Sequence, residues 1–281
     1  MELNVKIERI KMIPLSNLRK EQKQENQINI DLNCDLGQSF GVYKNDQELE
    51  LLQYVSSVNI SCGSHAGDPV TIMNMLKLAA ENNLAVGAHI GYPDIQGFGY
   101  RNMCLNEEEI QALVVYQIGA LNSLAKLYNL TVEYVRPHGA MYVQAAKDFK
   151  TSFAIAKSIA KYDPWLIYVG APCQNLLKAG EESNIRVVQE IQLDKKYTPD
   201  GNIDFEAGDV VDLDYSTKLL ESIVKDASVI NNQEGKTKLD IKTIHLTVKS
   251  AISGEIAQKA KELIPNPIPI AGTYVAGNGW I

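Results

Sequence analysis

The stretch INIDLNCDLGQSFG (residues 28–41) starts like a buried strand and then places polar side chains at every second position. Asp31, Asn33 and Asp35 alternate there with apolar residues. Because alternate residues of an extended chain share a face, these three side chains point the same way. Burying an unpaired carboxylate is costly, so we expect partners there that keep the carboxylates charged or share their protons.

The composition is that of a globular protein large enough for a sizeable core. The chain has 281 residues, of which 45% are hydrophobic and 22% charged. Its net charge of -7 argues against a broad surface for nucleic acid or anionic membranes, which would need clustered Lys and Arg. The apolar runs are too short to span a bilayer. We therefore expect no nucleic-acid partner and no membrane partner.

The four cysteines indicate a reducing compartment. Cys34, Cys62, Cys104 and Cys173 are far apart and form no CxxC pair. Structural disulfides and a cysteine-ligated zinc site are therefore not expected, and a cytoplasmic location fits. Cys34 and Cys62 lie beside the polar motifs, so a reactive thiol is the alternative to small buried side chains.

The chain divides into an extension and one domain. Residues 1–27 mix acidic and basic side chains and lack the apolar core of a secretory signal. We expect a flexible N-terminal extension over residues 1–27, followed by a single domain over residues 28–281. No linker separates that second part into two domains.

From residue 28 onward, short β-rich runs alternate with longer amphipathic runs. The predicted strands are INIDLNC, VSSVNISC, LAVGAHI, VEYVRPH, WLIYVGA, IRVVQEIQL and IKTIHLTV. The predicted helices between them include DPVTIMNMLKLAAENN, NEEEIQALVVYQIGALNSLAKLYN, KDFKTSFAIAKSIAKYD and APCQNLLKAGEESN. The first of these helices begins with an Asp–Pro start signal, and the second with an N-cap Asn and early acids. About seven βα repeats predict a single parallel α/β architecture.

Periodicity alone leaves open whether the parallel sheet is an open doubly wound sheet or a closed barrel. Polar residues at the ends of many strands favour the barrel, in which groups from several strands converge on one mouth. Two segments break the rhythm. NQEGKTKLD (residues 232–240) is predicted to be an exposed loop, and its GKT is not a phosphate loop because Ile230 stands where Gly is required. PNPIPIAGTYVAGNGWI (residues 265–281) is predicted to be coil.

Histidine placement is the most informative feature of the sequence. Each of the four, His65, His89, His138 and His245, lies at or just after a predicted strand, three of them close to glycine. A single histidine is usually a surface or satisfied core residue, but four at strand ends indicate a site. Imidazoles together with carboxylates bind divalent metals or share acid–base work.

Other polar residues have both structural and functional interpretations. Asp68, before Pro69, fits a helix N-cap as well as a substrate ligand. Arg136 can hold a substrate carboxylate through its planar fork or pair with a neighbouring acid. Glu190 and Asp194 can face the same mouth.

Several motifs in order resemble those of the LamB/YcsF family. They are DLNCDLGQSFG, NISCGSHAGDP, GAHIGYPD followed by GFGYR, and RPHGAMY. The family is associated with the A subunit of the bacterial ATP-dependent 5-oxoprolinase. The resemblance implies a seven-stranded β/α barrel of the glycoside hydrolase/deacetylase type, hydrolysis of 5-oxoproline to glutamate with ATP, and two partner subunits. A small unstrained lactam opens unfavourably, so coupling to ATP is chemically sensible.

The resemblance also distributes roles among the residues. It implies catalytic roles for Asp31, Asp35, His65 and His138, and substrate contacts from Asn33, Asp68, Arg136, Glu190 and His245. The chain departs from the family motifs at Gln38, Ser64, residues 90–91, Tyr100, Val143, residues 193–195 and residues 246–247. These departures point to altered substrate handling rather than altered architecture.

A second resemblance, to YdjC-type carbohydrate deacetylases, implies a metal site at Asp35, His89 and His138. A water bound to a divalent ion there would attack an amide carbonyl. Three hypotheses follow: a 5-oxoprolinase component, a stand-alone metal-dependent amidohydrolase or deacetylase, and a non-catalytic binding subunit.

Overall fold

The computed structural model describes residues 29–247 and 252–275. The predicted extension, residues 1–27, lies outside the described residues. The strands are β1 (Asp31–Leu36), β2 (Ser57–Ser61), β3 (Ala85–Ile90), β4 (Val132–Pro137), β5 (Ile167–Gly170), β6 (Val187–Gln192), β7 (Ser228–Ile230), β8 (Lys236–Lys238) and β9 (Ile241–Leu246). The helices are α1 (Pro69–Glu81), α2 (Glu107–Ala125), α3 (Gly139–Lys147), α4 (Phe149–Tyr162), α5 (Gln174–Ser183), α6 (Leu213–Asp226), α7 (Ser253–Leu263) and α8 (Ile270–Val275). Two short 3-10 helices are Asp46–Leu51 and Lys126–Tyr128.

Seven parallel strands close into a barrel in the order β1-β2-β3-β4-β5-β6-β9. Strand β9 pairs with β6 on one side and with β1 on the other, which closes the sheet. The prediction of a seven-stranded β/α barrel is confirmed, and each predicted strand overlaps one barrel strand. Among the described helices, none has the length and apolarity that a membrane crossing requires.

Helix starts follow the sequence signals. The Asp68 carboxylate accepts from the backbone N–H groups of Val70 at 3.0 Å and Thr71 at 2.9 Å, with Pro69 as the first residue of α1. Asn106 and Glu109 form a reciprocal capping box at α2. Side-chain caps of this kind satisfy backbone donors that have no partner within the helix.

Two predictions about irregular segments are wrong. Part of NQEGKTKLD is β8, which pairs with β7 in an antiparallel hairpin outside the barrel. The Asn231 side chain accepts from the backbone N–H groups of Gln233 and Gly235 and so builds the turn, as Asn often does. Part of the predicted C-terminal coil is α8, because Ile270 is fully buried and tertiary packing outweighs the local Pro and Gly content.

Half of the barrel interior is apolar. Tyr134, Ile167, Val169 and Val188 form a cluster with Ile270 of α8. The Tyr134 ring crosses the interior above Gly87, where a Cβ would lie 2.1 Å from the ring. Glycine is therefore required at that position of β3. The cluster leaves the polar side chains of the barrel to the opposite half of the interior.

Asp31 lies in the polar half, at the amino end of β1. Its carboxylate accepts hydrogen bonds from the hydroxyls of Ser56 at 2.7 Å and Ser57 at 2.5 Å, and from that of Thr243. Burial raises the pKa of Asp31 to about 6, from an ordinary value of 3.8, although the hydroxyls act in the opposite direction. A protonated Asp31 therefore favours the folded state below about pH 4, and this contribution is lost as the pH rises through about 6.

We expect Asp31→Asn to increase the free energy of unfolding above pH 6, by roughly 3 kcal/mol at full effect, because the variant buries no charge. Below pH 4 the variant and the parent protein should be equally stable. Urea unfolding from pH 4 to 8 measures the difference. The exposed Asp200→Asn serves as the control and should show no such pH dependence. If the free energies of unfolding of Asp31→Asn and the parent protein differed by the same amount at all pH values, the raised pKa of Asp31 would be contradicted.

Candidate active site

A cleft opens at the carboxyl ends of the barrel strands. It holds about 530 Å³ of empty space, part of which is open to solvent. Its walls include Asp35, Tyr100, Arg136, His138, Gly139, Tyr142, Val143, Gln192, Asp194, Lys195, Phe205, His245 and Thr247. The carboxyl end is the face at which β/α barrels assemble groups from different strands.

Asp35 is the centre of the polar network beneath the cleft. Its Oδ1 atom accepts from Asn59 Nδ2 at 3.0 Å and from Arg136 Nη1 at 3.1 Å. Nε2 of His245 is 3.1 Å and Nε2 of His89 is 3.4 Å from the same oxygen, and the His245 ring is not aligned for a hydrogen bond. Burial alone would raise the pKa of Asp35, but the guanidinium of Arg136 beside it holds that pKa well below its usual range. The carboxylate is therefore ionised at neutral pH.

Arg136 is fully engaged by two carboxylates. Its Nε donates to Glu190 Oε2 at 2.7 Å, its Nη2 to Glu190 Oε1 at 2.8 Å, and its Nη1 to Asp35. Glu190 also accepts from the Tyr142 hydroxyl at 3.2 Å and from Gln192 at 3.3 Å. Of the two interpretations of Arg136 from the sequence, pairing with neighbouring acids is the one that the geometry supports. Each guanidinium nitrogen already donates to a carboxylate.

The rings of His89 and His138 face each other within the barrel mouth. His138 Nε2 lies 2.7 Å from the Phe98 carbonyl oxygen and His89 Nδ1 lies 3.2 Å from the Arg136 carbonyl oxygen, so we assign the ring protons to these nitrogens. The remaining nitrogens, His89 Nε2 and His138 Nδ1, are 3.0 Å apart. When both rings are neutral, two lone pairs therefore meet.

Burial keeps these two imidazoles neutral. Burial, and next the neighbouring His89, lowers the pKa of His138 to about 3. Burial also lowers the pKa of His89, against the attraction of Asp35. A ring proton is therefore poorly retained between them at neutral pH, and a cation bound there would relieve the repulsion of the two lone pairs.

His65 lies behind His138 rather than in the cleft. The two rings stack with centroids 3.9 Å apart, and the His65 Nε2 atom lies 3.2 Å from the Ser61 hydroxyl. His65 is fully buried, and its Nδ1 atom lies against Gly91 without a hydrogen-bond partner. The structure thus brings His65 to the site but places it behind the ring that faces the cleft.

The loop after β3 covers the imidazoles and depends on glycine. Gly99 has a φ of +73°, and a Cβ there would lie 2.7 Å from His138 Cδ2 and 2.8 Å from His65 Cβ. Asp94 organises the same loop by accepting from Gly97 N at 2.9 Å and from Nε of Arg101 at 2.8 Å. The loop can therefore approach the rings closely only because it carries no side chain at Gly99.

The other predicted residues lie away from the cleft surface. Asn33, fully buried below Asp35, donates to Thr243 Oγ1 at 2.7 Å and to Glu190 at 3.4 Å. Asp31 lies two residues further down the strand. Asp68 caps α1, and its Oδ2 also accepts from Gly41 N at 3.2 Å. These side chains have structural partners that account for their positions.

The sequence interpretation missed much of the cleft wall. Gln192 follows Glu190 by two residues and shares its face of β6, so strand alternation could have identified it. Tyr142 follows His138 by four residues and shares its face of α3. Phe205 and Lys195 come from the irregular segment after β6, where no periodicity was available.

The sequence motifs, the barrel fold and the converging imidazoles agree with a match to a known protein family. The LamB/YcsF family matches residues 30–267 of the chain. The chain belongs to the LamB/YcsF family.

LamB/YcsF relatives occur among curated proteins and solved structures. The A subunit of 5-oxoprolinase from Bacillus subtilis (strain 168) is 49% identical over 174 residues, which are 62% of this chain and 68% of the relative. The corresponding protein of Pyrococcus abyssi (strain GE5 / Orsay), which bears the same name, is 36% identical over 249 residues, 85% of this chain and 98% of the relative. The crystal structure of the lactam utilization protein from Thermus thermophilus has 31% identity and a TM-score of 0.80, covering 86% of this chain and all of that chain.

Gly99→Ala should displace His138, because the new Cβ would collide with the His138 ring and with Cβ of His65. We expect a loss of stability well above the roughly 1 kcal/mol that a left-handed backbone alone costs a residue with a Cβ. Urea unfolding measures the loss, and side-chain ¹⁵N spectra of the histidines report the ring positions.

Gly208→Ala is the matched control for this substitution. Gly208 has a φ of +71°, and a Cβ there would meet nothing within 4 Å. The control should therefore show the backbone cost alone and leave the histidine spectrum unchanged. Equal destabilisation by the two substitutions would mean that a Cβ at position 99 does not collide with His138 and His65.

Proposed function

We propose that this chain is the lactam-opening component of an ATP-dependent 5-oxoprolinase, a hydrolase that converts 5-oxo-L-proline to L-glutamate in the cytoplasm. The observation that carries the proposal is the convergence of Asp35, His138 and His245 on a single cleft in a chain of this family. The names of the relatives, which refer to 5-oxoprolinase and to lactam utilization, support it. The curated relatives are named as one subunit of an enzyme, which supports assembly with partner subunits, and we take these to be two.

Hydrolysis of an amide needs a base for the attacking water, positive potential for the developing oxyanion, and a proton for the leaving nitrogen. Asp35 is ionised and lies at the cleft wall with 13% of its side chain exposed, so it can accept a proton from water. Arg136 stays protonated, because Glu190 and Asp35 outweigh burial and raise its pKa above the ordinary value. Its charge is offset by these two carboxylates and keeps Asp35 ionised for that role. His245 is the cleft group that can pass a proton to nitrogen, whereas His138 is neutral and presents its ring to the cleft.

His65 and Asp31 have supporting roles in this proposal. His65 fixes the plane of His138 by stacking, and Asp31 anchors the base of β1. The carboxylate of Asp35 and the ring of His138 are the groups that touch the substrate.

ATP is part of the proposal because the hydrolysis of the lactam is energetically unfavourable. Opening an unstrained five-membered lactam in water is unfavourable, so a hydrolase for it needs a coupled reaction. The residues that the structure describes contain no glycine-rich phosphate loop leading into a helix. We therefore place nucleotide binding at the assembly with the partner subunits.

A divalent metal ion is compatible with the same site. Three buried histidines, His65, His89 and His138, place ring nitrogens within 4.8 Å of one another. The lone pairs of His89 Nε2 and His138 Nδ1 face each other beside Asp35, whereas His65 is turned toward Ser61 and Gly91. The three histidines are the set whose ligand atoms lie together, and Asp35 Oδ1 is 3.4 Å from His89 Nε2, so we propose Asp35, His89 and His138 as the ligands. A bound ion would supply an activated water. The donation of His89 to a backbone carbonyl is the usual second bond of a metal-bound imidazole.

The first test is reconstitution with the partner subunits. We expect 5-oxoproline-dependent glutamate formation that requires ATP, and we expect His138→Ala and Asp35→Asn to lower kcat by about a hundredfold or more. Circular dichroism checks that the variants fold, and Asp200→Asn is the control for a surface carboxylate. Full turnover by a complex carrying His138→Ala would instead favour the non-catalytic binding subunit.

The second test concerns the metal. If the ion is held by Asp35, His89 and His138, elemental analysis of the purified chain should give a stoichiometric divalent metal that is lost in His89→Ala. His65→Ala should retain the metal, because its ring nitrogens are directed elsewhere. A fully active complex without metal would remove the stand-alone metal-dependent amidohydrolase from consideration.

A further inference from the structure

The substrate of the proposed reaction carries a carboxylate, and the cleft must provide a cation for it. Arg136 was the expected partner, but Glu190 and Asp35 already occupy all three of its guanidinium nitrogens. The two ring nitrogens of His138 face the Phe98 carbonyl oxygen at 2.7 Å and His89 Nε2 at 3.0 Å, so its ring is already engaged. Among the described residues of the cleft wall, Lys195 is therefore the cation that can exchange its partner.

We propose that Lys195 binds the carboxylate of the lactam substrate and so determines the preference for an acidic lactam. The assignment rests on the proposed function. Lys195 lies three residues beyond the end of β6, in the segment that forms one wall of the cleft. Its ammonium is a point charge that can approach a carboxylate from several directions.

The present partner of Lys195 is a weak competitor. The ammonium forms an ion pair with Asp209, whose side chain is 45% exposed, whereas that of Lys195 is 19% exposed. Ion pairs with well-solvated partners contribute little to stability, so exchanging Asp209 for a substrate carboxylate costs little. A carboxylate held within the cleft would be less screened than Asp209 is.

The backbone around Lys195 is held in place, so the side chain starts from a fixed position. Tyr215 Oη donates to the Lys195 carbonyl oxygen at 2.8 Å, and Val210 N donates to the Asp194 carbonyl oxygen at 2.7 Å. These hydrogen bonds hold the loop against α6 and against the segment that contains Val210. Only the side chain then needs to move when substrate binds, and a preorganised backbone lowers the entropic cost of binding.

The carboxylate contact is tested by steady-state kinetics of the reconstituted complex with two ligands. 5-Oxo-L-proline is the substrate, and 5-oxo-L-prolinamide, in which a neutral amide replaces the carboxylate, is the competing ligand. We expect Lys195→Gln to raise KM for 5-oxo-L-proline about tenfold to a hundredfold, as the loss of a charge-assisted hydrogen bond does, with little change in kcat. The inhibition constant of the amide should stay within about twofold. Lys195→Arg should restore most of the affinity.

Two controls distinguish the loss of the contact between Lys195 and the substrate carboxylate from a general disturbance of the loop. Lys196→Gln removes the exposed neighbouring charge and should leave KM unchanged. Asp209→Asn removes the competing partner and should leave KM equal or lower. An equal rise in KM and in the inhibition constant of the amide, or an unchanged KM in Lys195→Gln, would overturn the assignment while leaving the proposed function intact. A parent complex that fails to hydrolyse 5-oxo-L-proline would overturn the proposed function and the assignment with it.

Discussion

The site depends on one buried guanidinium. Arg136 is 5% exposed and lies in the barrel mouth between the carboxylates of Glu190, which is fully buried, and Asp35, whose side chain is 13% exposed. Two carboxylates at this separation in a medium of low polarity repel strongly, and Arg136 allows both to stay ionised. Removing one member of such a network leaves an uncompensated buried charge, at a cost of about 3–5 kcal/mol. The position and charge of Asp35, and through it the contacts of His89 and His245, follow from this arrangement.

The alternation of polar residues in β1 is explained by three different environments at three heights in the barrel. At the bottom, Asp31 has only hydroxyl partners and its pKa is raised to about 6. In the middle, Asn33 donates to Thr243 and accepts from Asn59, so no charge is needed there. At the top, Asp35 has cationic and imidazole neighbours and its pKa is lowered. Two aspartates on one face of one strand thus have opposite protonation tendencies because their neighbours differ.

The sequence was informative about the barrel and about which residues meet, but less so about how they pair. The strand runs and the placement of the histidines were sufficient to predict the barrel and the residues that meet at its mouth. Burial and the alternation of side chains along a strand are local patterns that repeat along the chain. The pairing of Arg136 with Glu190 joins residues 54 positions apart, and no local pattern encodes it. The cleft wall formed by Lys195 and Phe205 was missed for a related reason, since an irregular segment carries no periodic signal. α8 was missed because its burial against the barrel outweighs local propensity.

Several of the departures from the family motifs lie on the cleft wall, whereas Ser64, Ile90, Leu193 and Leu246 are buried. Four of them, Tyr100, Val143, Lys195 and Thr247, line the cleft, and Gln38 reaches Asp35 from the rim at 3.4 Å. The retained Asp35, His89 and His138 lie in the barrel mouth, where their polar atoms have partners and a substitution would leave a charge or a polar atom unpaired. Tyr100, Lys195 and Thr247 lie in loops and are at least partly exposed, so changes there cost little stability. This difference in constraint allows the reacting groups to stay constant while the groups that recognise the substrate change.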